Sequence, residues 1–198
     1  NWFKPATKPL PEHRTFMVRD LGATEDGVTP VEARFKFETS QDETQGSVTY
    51  FRAMWPTVMP MGKGPTAEIV YDRAALDALW PLEVGKESAG GGVINMICPE
   101  EPGPITMMFQ CQAGERIPLG KVTWSARVEG WEDVVVPAGG FPTYVIRQEE
   151  EMELEMFNRP MKRGGTITWW YAPEVAWWVR RTREDAEKLQ ILEAEAIQ

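Results

Sequence analysis

Histidine is nearly missing from this chain. A single imidazole, His13, serves all 198 residues, and it lies in the proline-rich opening NWFKPATKPLPEHR. Acid–base catalysis by histidine therefore has no seat in a folded cleft. A structural zinc site takes four Cys or His ligands, and the chain offers two cysteines and one histidine. Positive charge is also short: 21 Lys and Arg against 30 Asp and Glu, a formal net charge of −9. Nucleic-acid binding needs a basic footprint that releases counterions. The densest basic cluster, Arg180-Arg181-Thr182-Arg183, is followed at once by Glu184 and Asp185. No apolar run approaches the roughly 18 residues of a membrane-spanning helix. The GxSxG, HExxH, P-loop and GxGxxG patterns are all absent, and GKGPT at 62–66 lacks the Walker spacing. No catalytic residue, metal or cofactor is assigned. Paired carboxylates leave no linear motif, so a carboxylate hydrolase stays open as a minor reading.

What the chain has is β punctuation. It holds 17 glycines and 16 prolines, with short β-rich runs between them. Residues 1–14 show three prolines and no periodicity and read as an extended arm or tether; residues 15–198 read as one domain. Strands are expected at 15–20, in RFKFETS, in SVTYFRAM after a SQDETQG turn, in AEIVYD, GVINMIC and ITMMFQC, and in KVTWSARVEGWEDVVV. A short helix is expected in DRAALDALW, with Asp72 as N-cap and Leu76, Leu79 and Trp80 at helical spacing. Residues 143–157 carry the clearest strand pattern. Tyr144, Ile146, Met152, Leu154 and Met156 share one parity; Arg147, Glu149, Glu151, Glu153 and Glu155 share the other. Such a strand belongs to an antiparallel sheet with one wet face. After an NRPMKRGG turn come TITWWYA and VAWWVRR. The Ala, Glu, Lys and Leu of EDAEKLQILEAEAIQ favour a helix, although KLQI alternates like a strand. The fold class is thus all-β with minor helix: a single curved, largely antiparallel sheet, or half-barrel.

Three segments, PLEVGKES (81–88), EDVVVPAGGFPTYVI (132–146) and TWWYAPEVAWWVRR (168–181), carry a resemblance. They resemble a group of uncharacterised bacterial envelope proteins, periplasmic or lipid-anchored, that show a PL-x-VGK turn, then V-x-VPAGTF-x-T, then WYAP-x-VG-x-VK. The chain departs from that pattern at Gly140, where Thr is usual, and at Ala176-Trp177-Trp178, where Gly follows Val. The resemblance covers residues 75–185 and implies a large, strongly curved antiparallel sheet broadly similar to the half-barrels of lipoprotein carriers. It also implies an envelope location, a lipid-anchored or secreted precursor, and a final strand rather than a helix at the C-terminus. It carries no activity. The turns have a local cause as well: Pro137 ends ladder donation, Gly139-Gly140 permit a positive φ, and Gly85 turns the chain in PLEVGK.

The candidate sites follow from unusual residues. Cys98 and Cys111 could bridge, or remain two buried thiols. If 92–98 and 105–111 paired as a hairpin, residue 98 would face 105, so a bridge needs another register or a bend in the chain. Four of the nine tryptophans fall in TITWWYAPEVAWWV. On a strand, neighbours point to opposite faces, so Trp169 and Trp170 are not expected to share the core, nor Trp177 and Trp178. With Trp55 and Trp80 they form a candidate ligand- or partner-binding set; ordinary packing is the alternative. Methionines near the cysteines suit Cu(I), but also simple core filling. The acidic run Glu149–Glu155 reads as a solvated strand face, since i and i+2 lie about 7 Å apart. The expected function is a non-catalytic envelope protein binding an apolar small molecule or an envelope protein partner in the concave sheet. A structural component docking through its arm and outward tryptophans is the alternative.

Overall fold

The computed structural model describes the backbone of residues 12–20, 28–37, 43–60, 65–101, 104–156, 159–186 and 189–197, with side-chain surroundings from Val48 onward. Eleven strands and two short helices make it up: β1 (Glu12–Asp20), β2 (Val28–Phe37), β3 (Glu43–Phe51), β4 (Trp55–Pro60), β5 (Thr66–Tyr71), α1 (Arg73–Ala78), β6 (Glu87–Ile97), α2 (Pro104–Phe109), β7 (Arg116–Val136), β8 (Gly139–Met156), β9 (Arg159–Ala172), β10 (Trp177–Glu184) and β11 (Leu189–Ile197). Each strand lies antiparallel to its sequence neighbours. The curved, largely antiparallel sheet is the expected one. Its curl runs on until β1 lies parallel to β11, joining the two ends of the sheet into a barrel.

Alternation builds the wall. On β7, Val122, Trp124, Ala126 and Val128 are buried and their neighbours Lys121, Thr123, Ser125 and Arg127 are exposed. β7 and β8 pair from Gly120↔Leu154 to Val136↔Gly139, with a bulge between Val128 and Gly130. Beyond the bulge the hairpin tip reaches the last three strands: Trp170 Nε1 donates to Glu132 (3.1 Å), Arg180 to the Val135 carbonyl (3.4 Å), and the Ala138 amide to the Ala194 carbonyl (2.9 Å). The Pro137-Ala138 turn and Gly139 at φ +138 form as the VPAGGF motif implied. Gly85, at φ +90, turns PLEVGK.

α1 forms as expected. Asp72 accepts from the amides of Ala74 and Ala75, and Leu76 and Leu79 are fully buried. The helix leans on the inner side of β6, where Ser88 Oγ donates to the Ala75 carbonyl at 2.7 Å. Gly90 makes this approach feasible: a Cβ there would lie 2.8 Å from Ala75 Cβ and 2.9 Å from Trp124 Cζ2.

Several expectations need correction. ITMMFQC is not a strand, because Pro104 opens helix α2 at a position that needs no amide donor. That helix is the bend that brings Cys111 back to Cys98, and the disulfide forms with a Cα–Cα distance of 6.4 Å. MWPTVMPM hides an unexpected strand, β4; Pro56 sits beside a bulge and Pro60 ends the strand, where a missing donor is tolerated. NRPMKRGG is mostly strand rather than turn, since β9 begins at Arg159, and β3 begins at Glu43, inside the expected SQDETQG turn. β1 begins at Glu12, so the last three residues of the expected arm are strand; residues 1–11 lie outside the described residues. The C-terminal segment, by contrast, is the final strand that the resemblance implied, despite its helical composition, because it completes ladders on both sides.

Two outcomes test this account. Gly120→Ala should destabilise the protein by on the order of 3 kcal/mol in thermal or urea unfolding, because its Cβ would meet the Glu153 carbonyl oxygen at 2.0 Å. Reduction of the disulfide, which spans 13 residues, should cost about 3 kcal/mol in the same assay.

Candidate functional site

Trp55 (1% exposed), Trp169 (2%), Trp177 (6%) and Trp178 (2%) are buried, while Trp80 and Trp170 are only half-buried. Trp169 and Trp170 obey alternation. Trp170 lies outward, with its indole N–H on Glu132 and the Arg180 guanidinium 5.6 Å from its ring. Trp177 and Trp178 break the expectation and are both buried. Ala176 adopts φ +51, and a bulge separates Trp178 from Arg180, so simple alternation starts only after the pair. Trp80, just past α1, stands edge-on to Tyr171 at 6.0 Å, with Arg52 over its ring.

The buried rings join two runs of contact. Trp124 touches Trp55 (4.5 Å), which meets Tyr71 edge-on (5.8 Å). Tyr50 meets Trp177 (5.5 Å), Trp177 stacks on Trp178 (6.3 Å), and Trp178 meets Trp169 (5.5 Å), over which the Arg181 guanidinium lies at 5.0 Å. The candidate tryptophans are thus largely brought together, with Trp124 added and Trp80 and Trp170 left outside.

Polar groups are threaded through this aromatic interior. On β8 the inward parity carries Ile146, then Gln148 (2% exposed) and Glu150 (8%). Trp169 Nε1 donates to Gln148 Oε1 (2.9 Å), and Gln148 Nε2 donates to Glu150 Oε2 (3.2 Å). Glu150 Oε1 lies 3.2 Å from Arg183 Nη2, an ion pair that is not aligned as a hydrogen bond. Arg181 keeps part of its surface exposed, but its Nε is shut off from solvent. Burial draws the Arg181 guanidinium below its ordinary value, opposed by nearby Tyr50, Glu150 and Tyr71. Burial pushes the Tyr71 phenol far up, helped by Glu150, and raises Tyr50 as well. Among the described residues, Arg181 Nε, Tyr71 OH and the indole N–H groups of Trp55, Trp124 and Trp177 have no hydrogen-bond partner.

Sequence reasoning missed Gln148, Glu150, Arg181, Arg183, Tyr50 and Tyr71. One signal was available: Gln148 and Glu150 interrupt the apolar parity of residues 144–156. Glu149, Glu151 and Glu153 do form the expected wet face. Glu153 is held down at about 2 by Lys121 and Lys162, at 2.8 and 2.5 Å. Of the methionines, Met54 and Met96 are buried in the core, Met59 packs against it, and Met107 and Met108 are exposed on α2; Met61 lies outside the described residues.

No family model matches the chain, and no curated protein matches it. Two solved structures show similarity to it. The hypothetical lipoprotein YmcC from Escherichia coli K12 is 6% identical, with 87% of this chain and 72% of that one covered and a TM-score of 0.44. A Bacteroides fragilis protein of YmcC-like fold, named as exported, is 16% identical, with 88% and 82% covered and a TM-score of 0.41.

The interior predicts an asymmetry between two substitutions. Tyr71→Phe removes a hydroxyl without a partner, so it should change stability at pH 7 by less than about 1 kcal/mol. Glu150→Ala strands Arg183 and Gln148 and should cost on the order of 3 kcal/mol. The raised Tyr71 value means that the folded state holds the neutral phenol. Its contribution to stability is complete below the unfolded value of 10.0 and falls as pH rises beyond it. Urea unfolding between pH 9 and 11 should therefore show a shallower alkaline loss in Tyr71→Phe than in the parent chain.

Proposed function

We propose that this protein is a non-catalytic component of the bacterial envelope that holds a small molecule with an apolar body in its barrel interior. The observation that carries the reading is the buried run of tryptophans and tyrosines interleaved with polar groups that lack partners. Small-molecule sites have this composition: mostly apolar and aromatic walls with a few placed polar groups. Barrel width supports it. Side chains just fill an eight-stranded barrel of about this kind, and width grows with strand number; this sheet has eleven strands. The Cys98–Cys111 disulfide supports an exported location, since such bridges persist in oxidising compartments.

Docking a partner protein has weaker support. Four of the six candidate tryptophans are buried, and Trp170 is engaged by Glu132 and Arg180. A hydrolase needs two facing acids, whereas the buried Glu150 is engaged by Arg183 and Gln148.

The test is native mass spectrometry of protein purified from its own host's envelope, set against the denatured mass. Extra mass of several hundred daltons, lost on denaturation, is the expected result. A native mass equal to the denatured one would move the assignment to protein docking. The denatured mass should also be two hydrogens short of the dithiol form.

A further inference from the structure

We propose that the bound molecule is a carboxylate, with its head group against Arg181 and Tyr71 and its apolar body along the tryptophans. This deepens the interior-binding reading and rests on it.

Hydrogen-bond arithmetic within the barrel points to the head group. Among the described residues, Gln148 Oε1 takes the Trp169 indole, and the Glu150 carboxylate accepts from Gln148 through Oε2 while Oε1 faces Arg183 as an ion pair without a hydrogen bond. Apart from Glu150 Oε1, which has the Arg183 charge beside it, the described groups left over are donors. Arg181 Nε, Tyr71 OH and the Trp55, Trp124 and Trp177 indoles are all closed to solvent, and the residues carrying the last four are at least nine-tenths buried. A buried donor without a partner carries a desolvation penalty of about 1–3 kcal/mol. An incoming acceptor would relieve several at once.

Charge says which acceptor. Among the described residues of this cluster, two arginines, Arg181 and Arg183, stand against one acid, Glu150. One excess positive charge in a low-dielectric setting favours one negative charge. A carboxylate supplies one, and its two oxygens suit the guanidinium fork. A phosphate monoester, near −1.5 to −2 at neutral pH, overshoots by roughly a charge. The lowered Arg181 value agrees, since a guanidinium without enough opposing charge is strained by its burial. The aromatic contacts then explain the body. Trp177 stacked on Trp178 and Trp55 tilted on Trp124 give broad apolar faces within the same cluster as Arg181 and Tyr71.

The experiment is a titration of the full chain with dodecanoic acid and with dodecan-1-ol, both below micelle formation, read by tryptophan fluorescence. The acid should bind at least about tenfold more tightly than the alcohol, as expected for a charge-assisted hydrogen bond. Arg181→Met should bring the acid's affinity down to that of the alcohol, leave the alcohol unchanged, and keep the far-UV spectrum. Arg181→Lys should restore part of the preference, and Arg147→Met on the outer face should change nothing. Equal binding of acid and alcohol by the parent chain overturns the carboxylate assignment while interior binding stands. This comparison needs no variant, so a misfolded Arg181→Met leaves the proposal exposed to disproof. If neither compound binds, the assignment falls, and the native mass decides the rest: bound mass keeps interior binding, and its absence removes both.

Discussion

Closure of the sheet is the constraint from which the rest follows. Once β1 lies against β11, the sheet encloses one interior, and the strands whose side chains are described turn one face toward it and one toward water. A side chain's parity then decides its solvent. That is why Glu149 and Glu150, adjacent in sequence, have different fates. Glu149 bonds Arg147 and Thr166 on the wet side, and Glu150 meets Arg183 and Gln148 inside. A buried carboxylate is tolerated only where other groups compensate it, and the neighbouring strands provide them. Trp169 and Arg183 reach the inner face from β9 and β10 because register sets Ile167 opposite both Gln148 and Arg183.

The same constraint accounts for where the rules bend. Bulges fall between Val128 and Gly130 and between Trp178 and Arg180. The first frees the β7–β8 tip to reach β9, β10 and β11. The second lets two adjacent tryptophans be buried together. Bulges raise local twist and re-aim side chains, and here they shape both the β7–β8 tip and the aromatic interior. Glycine serves closeness rather than flexibility at Gly90 and Gly120, where a methyl group would strike α1 and Trp124 in one case and the β8 backbone in the other.

Much of the fold was legible in the residues because alternation is local. KVTWSARVEGWEDVVV and residues 143–157 announce long half-buried strands, and Asp72 announces α1. Proline misled in both directions: it concealed β4, where it sits at a bulge and a strand end, and it marked no helix in ITMMFQC, where it starts one. The composition of the C-terminal strand pointed to a helix, while the resemblance implied the strand that forms. Helical propensity differences are fractions of a kcal/mol per residue, and two neighbouring ladders outweigh them. The site was half legible. Its tryptophans stand out by number. Its arginines did not, because VRRTR reads as a basic run until each residue is given a face.

The sequence by itself determined the β class, the wet and dry faces of the long hairpin, and the availability of a thiol pair. Each depends on residue type or on a period of two within one strand. Tertiary structure alone decided that Cys111 returns to Cys98, that Trp177 and Trp178 are buried together, and that Glu150, Arg181, Arg183, Tyr50 and Tyr71 gather in one interior. The first depends on the bend at α2, and the others on register between strands and on the bulges that shift it. Register is a property of pairs of segments distant in sequence, so no single segment contains it.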